Sequence, residues 1–167
     1  GRLKILSPKQ IQIIEKYAED EDWSVRIEVA KILGNFQNNS SKRILLKLAN
    51  DQDELIRIEA YDSLSVFDTK DVEYALKKAI QTERKSLACS YAIMAWAEVV
   101  IARRRIPWKQ SLFITNFKKK QRIQKSEHCL LNCCYAQYIF GRKKALKEIL
   151  KLLKSDDIKC LGEMMDF

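Results

Sequence analysis

Five cysteines and one histidine are the residues of this chain best suited to hold a metal ion. Cys129 and Cys133 lie four residues apart, on one face of a predicted helix, and His128 precedes them. A zinc site needs four tetrahedral ligands, which usually come as two close Cys/His pairs. A second pair is missing, because Cys89 and Cys160 stand alone. We therefore predict no metal site and interpret these cysteines as small residues of a packed helix.

Sequence motifs of enzymes are also missing. The chain contains no glycine-rich phosphate loop, no nucleophile elbow and no metalloprotease signature. We predict no catalytic residue and no cofactor, and hence a protein that is not an enzyme. The odd number of cysteines, with Cys133 and Cys134 adjacent, argues against a disulfide framework. With no visible secretory signal, this predicts a cytoplasmic location.

The positive charge of the chain is concentrated in its second half. Residues 1–83 contain 13 Lys and Arg against 15 Asp and Glu, whereas residues 84–167 contain 18 against 7. A basic surface attracts nucleic acid, anionic lipid or acidic protein. The candidate polyanion-binding residues are Arg103, Arg104, Arg105, Lys118, Lys119, Lys120, Arg142, Lys143 and Lys144. The other interpretation, which stays open, is a solvated edge that keeps the protein soluble.

The elements that would position these residues are predicted from a repeat. The sequence DEDWSVRIEVAKILGNF begins at Asp20, and DQDELIRIEAYDSLSVF begins 31 residues later at Asp51. Self-similarity at this period is typical of helical repeat proteins. In each copy a helix with apolar residues at helical spacing follows the acidic turn, and another amphipathic helix precedes it. Each unit therefore predicts a pair of helices.

The same reading extends along the chain with weaker similarity. The predicted pairs are 7–36, 40–67, 69–103, 107–141 and 142–167, which together form one domain, 1–167. With only 4 Gly and 2 Pro, long helices and short loops are favoured. The apolar stretch LACSYAIMAWAEVVIA, at residues 87–102, is too short to span a membrane and predicts a buried helix. We predict an all-α, right-handed α-solenoid of about five helix pairs.

The predicted solenoid gives each basic cluster an expected position. Residues 103–105 and 142–144 lie at successive junctions between helix pairs, and we expect them side by side on one edge. Residues 118–125 are predicted to lie in a turn on the opposite edge. CSYA at Cys89 and CCYA at Cys133 align at an offset of 44 residues, which indicates that their helices correspond.

The repeated motif resembles the HEAT repeat, in particular the short HEAT-like repeats of phycobilisome lyases. The resemblance is carried by an acidic turn, a Val-Arg or Ile-Arg pair and a stripe that ends Leu-Gly. The matching residues are Asp20, Asp22, Val25, Arg26, Ala30, Leu33 and Gly34, and again Asp51, Asp53, Ile56, Arg57 and Leu64. The resemblance implies a solenoid in which the acids and arginines, Asp22 with Arg26 and Asp53 with Arg57, form a ladder between repeats.

The resemblance also implies a function, by analogy. We expect a non-enzymatic scaffold whose second helices line a concave face that binds a partner protein, which the sequence does not identify. Matched polar positions on the first two of these helices give the candidate partner-binding residues Glu28, Lys31, Glu59 and Asp62.

Two alternatives stay open beside this scaffold. The first is binding of nucleic acid or another polyanion by the basic half. The second follows from the resemblance, because some HEAT-like folds are DNA glycosylases of alkylated bases. Such an enzyme needs a cationic groove lined with aromatic residues. The residues considered for it are Trp96, Trp108, Tyr91 and Tyr135, with Glu98 or Glu127 nearby.

Overall fold

The chain folds into a stack of helices. The computed structural model describes residues 7–103, 108–124 and 127–154, and within these ranges every regular element is an α-helix. The helices are α1 (Pro8–Tyr17), α2 (Trp23–Gly34), α3 (Asn39–Leu48), α4 (Glu54–Leu64), α5 (Lys70–Thr82), α6 (Ser86–Ala102), α7 (Trp108–Gln124), α8 (Glu127–Ile139) and α9 (Ala145–Leu152). The predicted all-α fold is confirmed.

The acidic turns of the repeat start α2 and α4. The Asp22 carboxylate accepts a hydrogen bond from the backbone N–H of Ser24 at 2.8 Å, and Asp53 accepts one from Leu55 at 2.8 Å. These caps satisfy N–H groups that have no partner inside the helix. The first acid of each turn accepts the backbone N–H two residues later, at 3.0 and 2.9 Å, and so closes the turn. The repeated acids therefore encode the turns locally.

The helices form two layers. Each odd-numbered helix from α1 to α7 packs against the even-numbered helix that follows it. The even helices α2, α4, α6 and α8 also pack successively against one another. One pair cannot bury its apolar face alone, so each pair covers the face of its neighbour. This arrangement is an α-solenoid, as predicted.

The core runs continuously between the layers, from Ala18 to Ala136. Helix α6 lies at its centre, which confirms the buried helix predicted from the long apolar stretch. Trp96 of this helix is 0% exposed and meets the edges of Phe113 and Phe140, with ring centroids 5.2 and 5.7 Å apart. Such edge-to-face contacts favour burial of large aromatic rings.

A close contact between α2 and α4 explains the glycine that ends the first repeat. A Cβ added at Gly34 would lie 2.6 Å from the Ser63 Oγ and 3.1 Å from its Cβ. The Ser63 hydroxyl already donates a hydrogen bond to the Ala30 carbonyl at 3.0 Å. The two helices therefore approach each other at a point where only glycine fits.

The second half of the chain departs from the prediction. Helix α7 continues to Gln124, so residues 118–124 lie within a helix and the predicted turn there is wrong. The fifth pair is represented by α9, which packs against α8. Gly141, at φ +91°, lies in the connection between them. The closing helix predicted from Ile158 lies outside the described residues.

Candidate functional site

Two arginines, Arg26 buried and Arg57 half-buried, join successive helix pairs along the edge that carries the acidic turns. The Arg26 guanidinium binds both oxygens of the Asp51 carboxylate, at 2.9 and 3.1 Å, and Arg57 binds Glu83 in the same way at 2.7 and 3.0 Å. Each arginine also donates to two carbonyls of the turn before its own helix, at distances from 2.7 to 3.1 Å. Bidentate pairs of this kind fix geometry as well as charge.

The ladder predicted from the sequence exists, but its acids are different. Asp22 and Asp53 cap helices, whereas Asp51 and Glu83 receive the arginines. Burial of Glu83 opposes its ionisation. The hydrogen bonds and charge of Arg57, together with the backbone N–H groups of Lys85 and Arg84, outweigh burial and lower the pKa of this carboxyl. The donors of both guanidinium groups are directed into the fold, so the ladder is structural.

The outer surface of the even helices carries a regular pattern of side chains. On each of α2, α4, α6 and α8, three residues that are not buried recur at spacings of four and three, which places them on one side of the helix. We term this surface the even-helix face; it consists of Ser24, Glu28, Lys31, Leu55, Glu59, Asp62, Leu87, Tyr91, Met94, Leu131, Tyr135 and Tyr138.

The first half of the even-helix face is charged and contains all four predicted partner-binding residues. Lys31 forms an ion pair with Glu28 at 2.7 Å on α2. Burial and the negative charges of Asp62 and Glu28 raise the pKa of Glu59, while Lys31 lowers it. Charged side chains of α2 therefore affect a carboxylate on the neighbouring helix α4. Burial also raises the pKa of Asp62. The structure thus brings these four residues together.

The second half of the same face is apolar and aromatic. Leu87, Tyr91 and Met94 on α6 take the positions that charged or polar residues take on α2, and Leu131, Tyr135 and Tyr138 repeat the pattern on α8. Tyr138 is 42% exposed and Leu87 is 38% exposed. Sequence reasoning did not assign these residues to a partner-binding surface. The signal was present in the aligned CSYA and CCYA segments, which carry two of the three aromatic positions.

The predicted polyanion site is only partly assembled. Arg103 lies beside Glu73, with 3.1 Å between Nε and Oε2, and donates to the Asp68 carbonyl at 2.7 Å. Its charge is therefore already balanced within the fold. Arg104 and Arg105 lie outside the described residues.

Lys118 does not lie on the surface, and its prediction as a polyanion contact is wrong. This side chain is buried and donates to Gln137 Oε1 at 3.0 Å and to Glu148 Oε2 at 2.7 Å. Gln137 in turn donates to the Thr115 hydroxyl at 2.8 Å. The ammonium thus links α7, α8 and α9 and is not available to an external phosphate.

The remaining predicted cations lie on two segments, α7 and the α8–α9 connection. We term Lys119, Lys120, Arg142, Lys143 and Lys144, all exposed, the terminal basic cluster. Lys119 and Arg142 line the same cleft of about 110 Å³, between α7 and the α8–α9 connection. The prediction that these two segments lie on opposite edges is therefore wrong, because α7 remains helical past Lys119.

The four described cysteines, on α6 and α8, are buried. Cys89, Cys129, Cys133 and Cys134 are free thiols, and Cys160 lies outside the described residues. Contact with Cys129 and burial raise the pKa of Cys89, and burial raises that of Cys133. Raised thiol pKa values disfavour the thiolate that binds metals. In the described part of the chain no group of three His, Cys, Asp or Glu side chains is arranged to hold a metal ion.

The groove considered for a glycosylase lacks one of its predicted aromatic residues. Trp96 is fully buried, and the side chain of Trp108 is outside the described set. Tyr91 and Tyr135 lie on the even-helix face instead. Trp96 therefore has no exposed surface on which a base could stack.

Comparison with known families agrees with the fold. In the ranges that the structure describes, no helix combines the length and the apolar character needed to cross a membrane. The search of curated proteins returned no matching relative. A profile of HEAT repeats matches residues 11–97, just over half of the chain, and does not test the narrower likeness to the phycobilisome lyase type. The chain therefore belongs to the HEAT-repeat family.

Proposed function

We propose that this protein is a non-enzymatic scaffold that binds a partner protein through the even-helix face. HEAT repeats form helical scaffolds that mediate protein interactions, which supports the general role. The observation that carries the specific proposal is the pattern of twelve side chains that are not buried and recur at the same spacing on four neighbouring helices. Tyrosine and methionine are enriched at interfaces, where aromatic residues often supply most of the binding energy. The proposal keeps the cytoplasmic location predicted from the cysteine content.

Site-specific photo-crosslinking in cells tests this proposal. A photoreactive phenylalanine analogue would replace Tyr91 or Tyr138 on the even-helix face, and Tyr17 or Tyr74 on the odd helices as matched controls. Tyr17 and Tyr74 are 47% and 72% exposed, so they are at least as accessible as the test positions. We expect one discrete adduct from the even-helix positions and none of the same mass from the controls. The same adduct from Tyr74, or adducts from the controls alone, would refute the proposed face.

A second candidate function is binding of nucleic acid or another polyanion by the terminal basic cluster. The observation that favours it is that Lys119 and Arg142 share one cleft. In the described part of the chain none of the five cations of the cluster forms an ion pair. By contrast, Arg43 and Lys47 of α3 are paired with Glu15 and Glu19 of α1.

Fluorescence anisotropy of labelled single- and double-stranded DNA and RNA distinguishes the two candidates. The triple variant Lys119→Glu, Arg142→Glu and Lys144→Glu would be compared with Lys9→Glu, Lys16→Glu and Lys70→Glu, which changes the charge equally at exposed sites elsewhere. If the cluster binds phosphates, affinity falls steeply with salt and only the first variant loses it. Equal loss in both variants indicates an effect of net charge alone.

A further inference from the structure

Among the residues that the structure describes, two carboxylates on the even-helix face have no cation of their own. Lys31 acts on Glu59 through its positive charge, but it already pairs with Glu28 at 2.7 Å. Within the described residues neither Glu59 nor Asp62 takes part in an ion pair. A charge that is partly removed from water and unpaired is unfavourable. Glu59 is half-buried and Asp62 is exposed, so a cation supplied from outside can reach both carboxylates and gain from their negative charge.

The raised pKa values of these two groups agree with that geometry. Burial is the main cause for both, and for Glu59 the negative charge of Asp62 adds to it. By contrast, the turn-edge carboxylate Glu83 has an arginine against it and a lowered pKa. Arg57 thus neutralises Glu83, whereas Glu59 and Asp62 have no such partner among the described residues.

Apolar surface lies directly beside the two carboxylates. Leu55, on the same helix, is 47% exposed, and α6, which packs against α4, presents Leu87, Tyr91 and Met94. The next helix, α8, continues this surface with Tyr135 and two further residues. Across the stack the surface therefore changes from an ion pair on α2 and two acids on α4 to apolar and aromatic residues on α6 and α8.

We infer that the even-helix face binds a segment of a partner protein that carries lysine or arginine at one end and large apolar side chains at the other. The basic end lies over Glu59 and Asp62, and the apolar end lies against α6 and α8. This inference rests on the proposed function and adds the chemistry and the direction of the partner. A phosphate backbone is disfavoured here, because carboxylates repel it.

The spacing of the helices sets the length of that segment. The axes of packed helices lie about 8–10 Å apart. The axis of α6 is therefore one such distance from that of α4, and the axis of α8 is about two such distances from it. An extended chain covers one such distance in about three residues, and a helix covers it in about six. The basic residues and the first apolar residue of the partner should therefore be separated by about three or six positions, which fits within a 16-residue peptide.

Selection from a phage-displayed library of random 16-residue peptides tests the inference on the whole chain. We expect enriched peptides with lysine or arginine at this distance from leucine, phenylalanine, tyrosine or methionine. For a selected peptide, Glu59→Gln with Asp62→Asn should weaken binding about tenfold or more, since a desolvated charge pair is lost. The matched control Glu21→Gln with Asp68→Asn neutralises two exposed turn acids and should leave affinity unchanged.

A charge exchange and an apolar variant sharpen the result. The variant Glu59→Lys with Asp62→Lys should not bind the selected peptide. Replacing the basic residues of the peptide by glutamate should restore binding to this variant. Met94→Gln with Tyr138→Ser changes two residues that are not buried and should also weaken binding, with an unchanged melting temperature as the control for folding.

The outcomes separate the inference from the proposed function. Binding that Met94→Gln with Tyr138→Ser weakens, but that is insensitive to Glu59→Gln with Asp62→Asn, overturns the partner chemistry and leaves the even-helix face as the interface. Selected peptides insensitive to both variants, or a library that yields no binder, overturn the inference. If the crosslinks also come only from Tyr17 or Tyr74, the proposed function fails with it.

Discussion

The turn edge of the first three helix pairs and the end formed by α7, α8 and α9 both bury a cation, but they do so differently. Along the turn edge, Arg26 and Arg57 make the same set of contacts one repeat apart, each to a carboxylate of the next pair. At the end of the stack, Lys118 meets one glutamine and one glutamate in an arrangement without a repeated counterpart. A repeated arginine can join any number of pairs, whereas the lysine network joins only the three helices around it.

The two regions also differ in how completely the acid is buried. The side chain of Glu83 is 5% exposed, whereas that of Glu148 is 33% exposed. Water can therefore stabilise the second carboxylate when its cation is removed, but not the first. The following predictions test this difference.

The largest effect is expected from Arg57→Met. This change removes the bidentate partner of Glu83 and four hydrogen bonds, so the free energy of unfolding should fall by about 3 kcal/mol or more. Denaturation in urea measures it. The double variant Arg57→Met with Glu83→Leu should recover much of the loss, because no charge is left buried. A double variant as unstable as the single one would show that the carboxylate is not the cause.

A smaller effect is expected from Lys118→Met. The variant leaves Gln137 without one donor, while Glu148 remains partly hydrated, so we expect a loss of about 1–2 kcal/mol in the same titration. If Lys118→Met were as destabilising as Arg57→Met, the difference in burial would not govern the two regions.

The smallest effects concern pH and have opposite signs. The folded pKa of Glu83 is lowered, so its stabilising contribution is present above the unfolded value of about 4.3 and is lost as pH falls through the folded pKa. The folded pKa of Glu59 is raised, so this carboxylate opposes folding above that pKa, and the penalty disappears as pH falls from it towards about 4.3.

Measured against the wild type, Glu59→Gln should therefore be slightly more stable at pH 7, with the advantage shrinking as the solution is acidified. Glu83→Gln should be less stable at pH 7, and its deficit should shrink below about pH 4.3. Thermal melting between pH 3 and pH 8 follows both differences. An advantage of Glu59→Gln that persists at pH 3 would show that the charge is not its origin.

The even-helix face shows how far the sequence could specify a binding surface. The repeat placed Glu28, Lys31, Glu59 and Asp62 at matched positions, and the structure brings them together. The sequence did not assign the aromatic half of the even-helix face to a binding surface. The repeat signal weakens after the second unit, and tyrosines in apolar segments are typical of a core. Their partial exposure depends on how α6 and α8 are rotated within the stack.

By itself the sequence determined the helices, the acidic turns and the family, because capping and helical periodicity act between residues a few positions apart. It also marked Arg26 and Arg57 as repeated structural residues. Only the tertiary structure decided that these arginines reach Asp51 and Glu83, 25 and 26 residues further along the chain. Likewise, only the packing of α8 and α9 against α7 buries Lys118 and brings Lys119 beside Arg142. Such contacts depend on the rotation and spacing of whole helices, which no local pattern fixes.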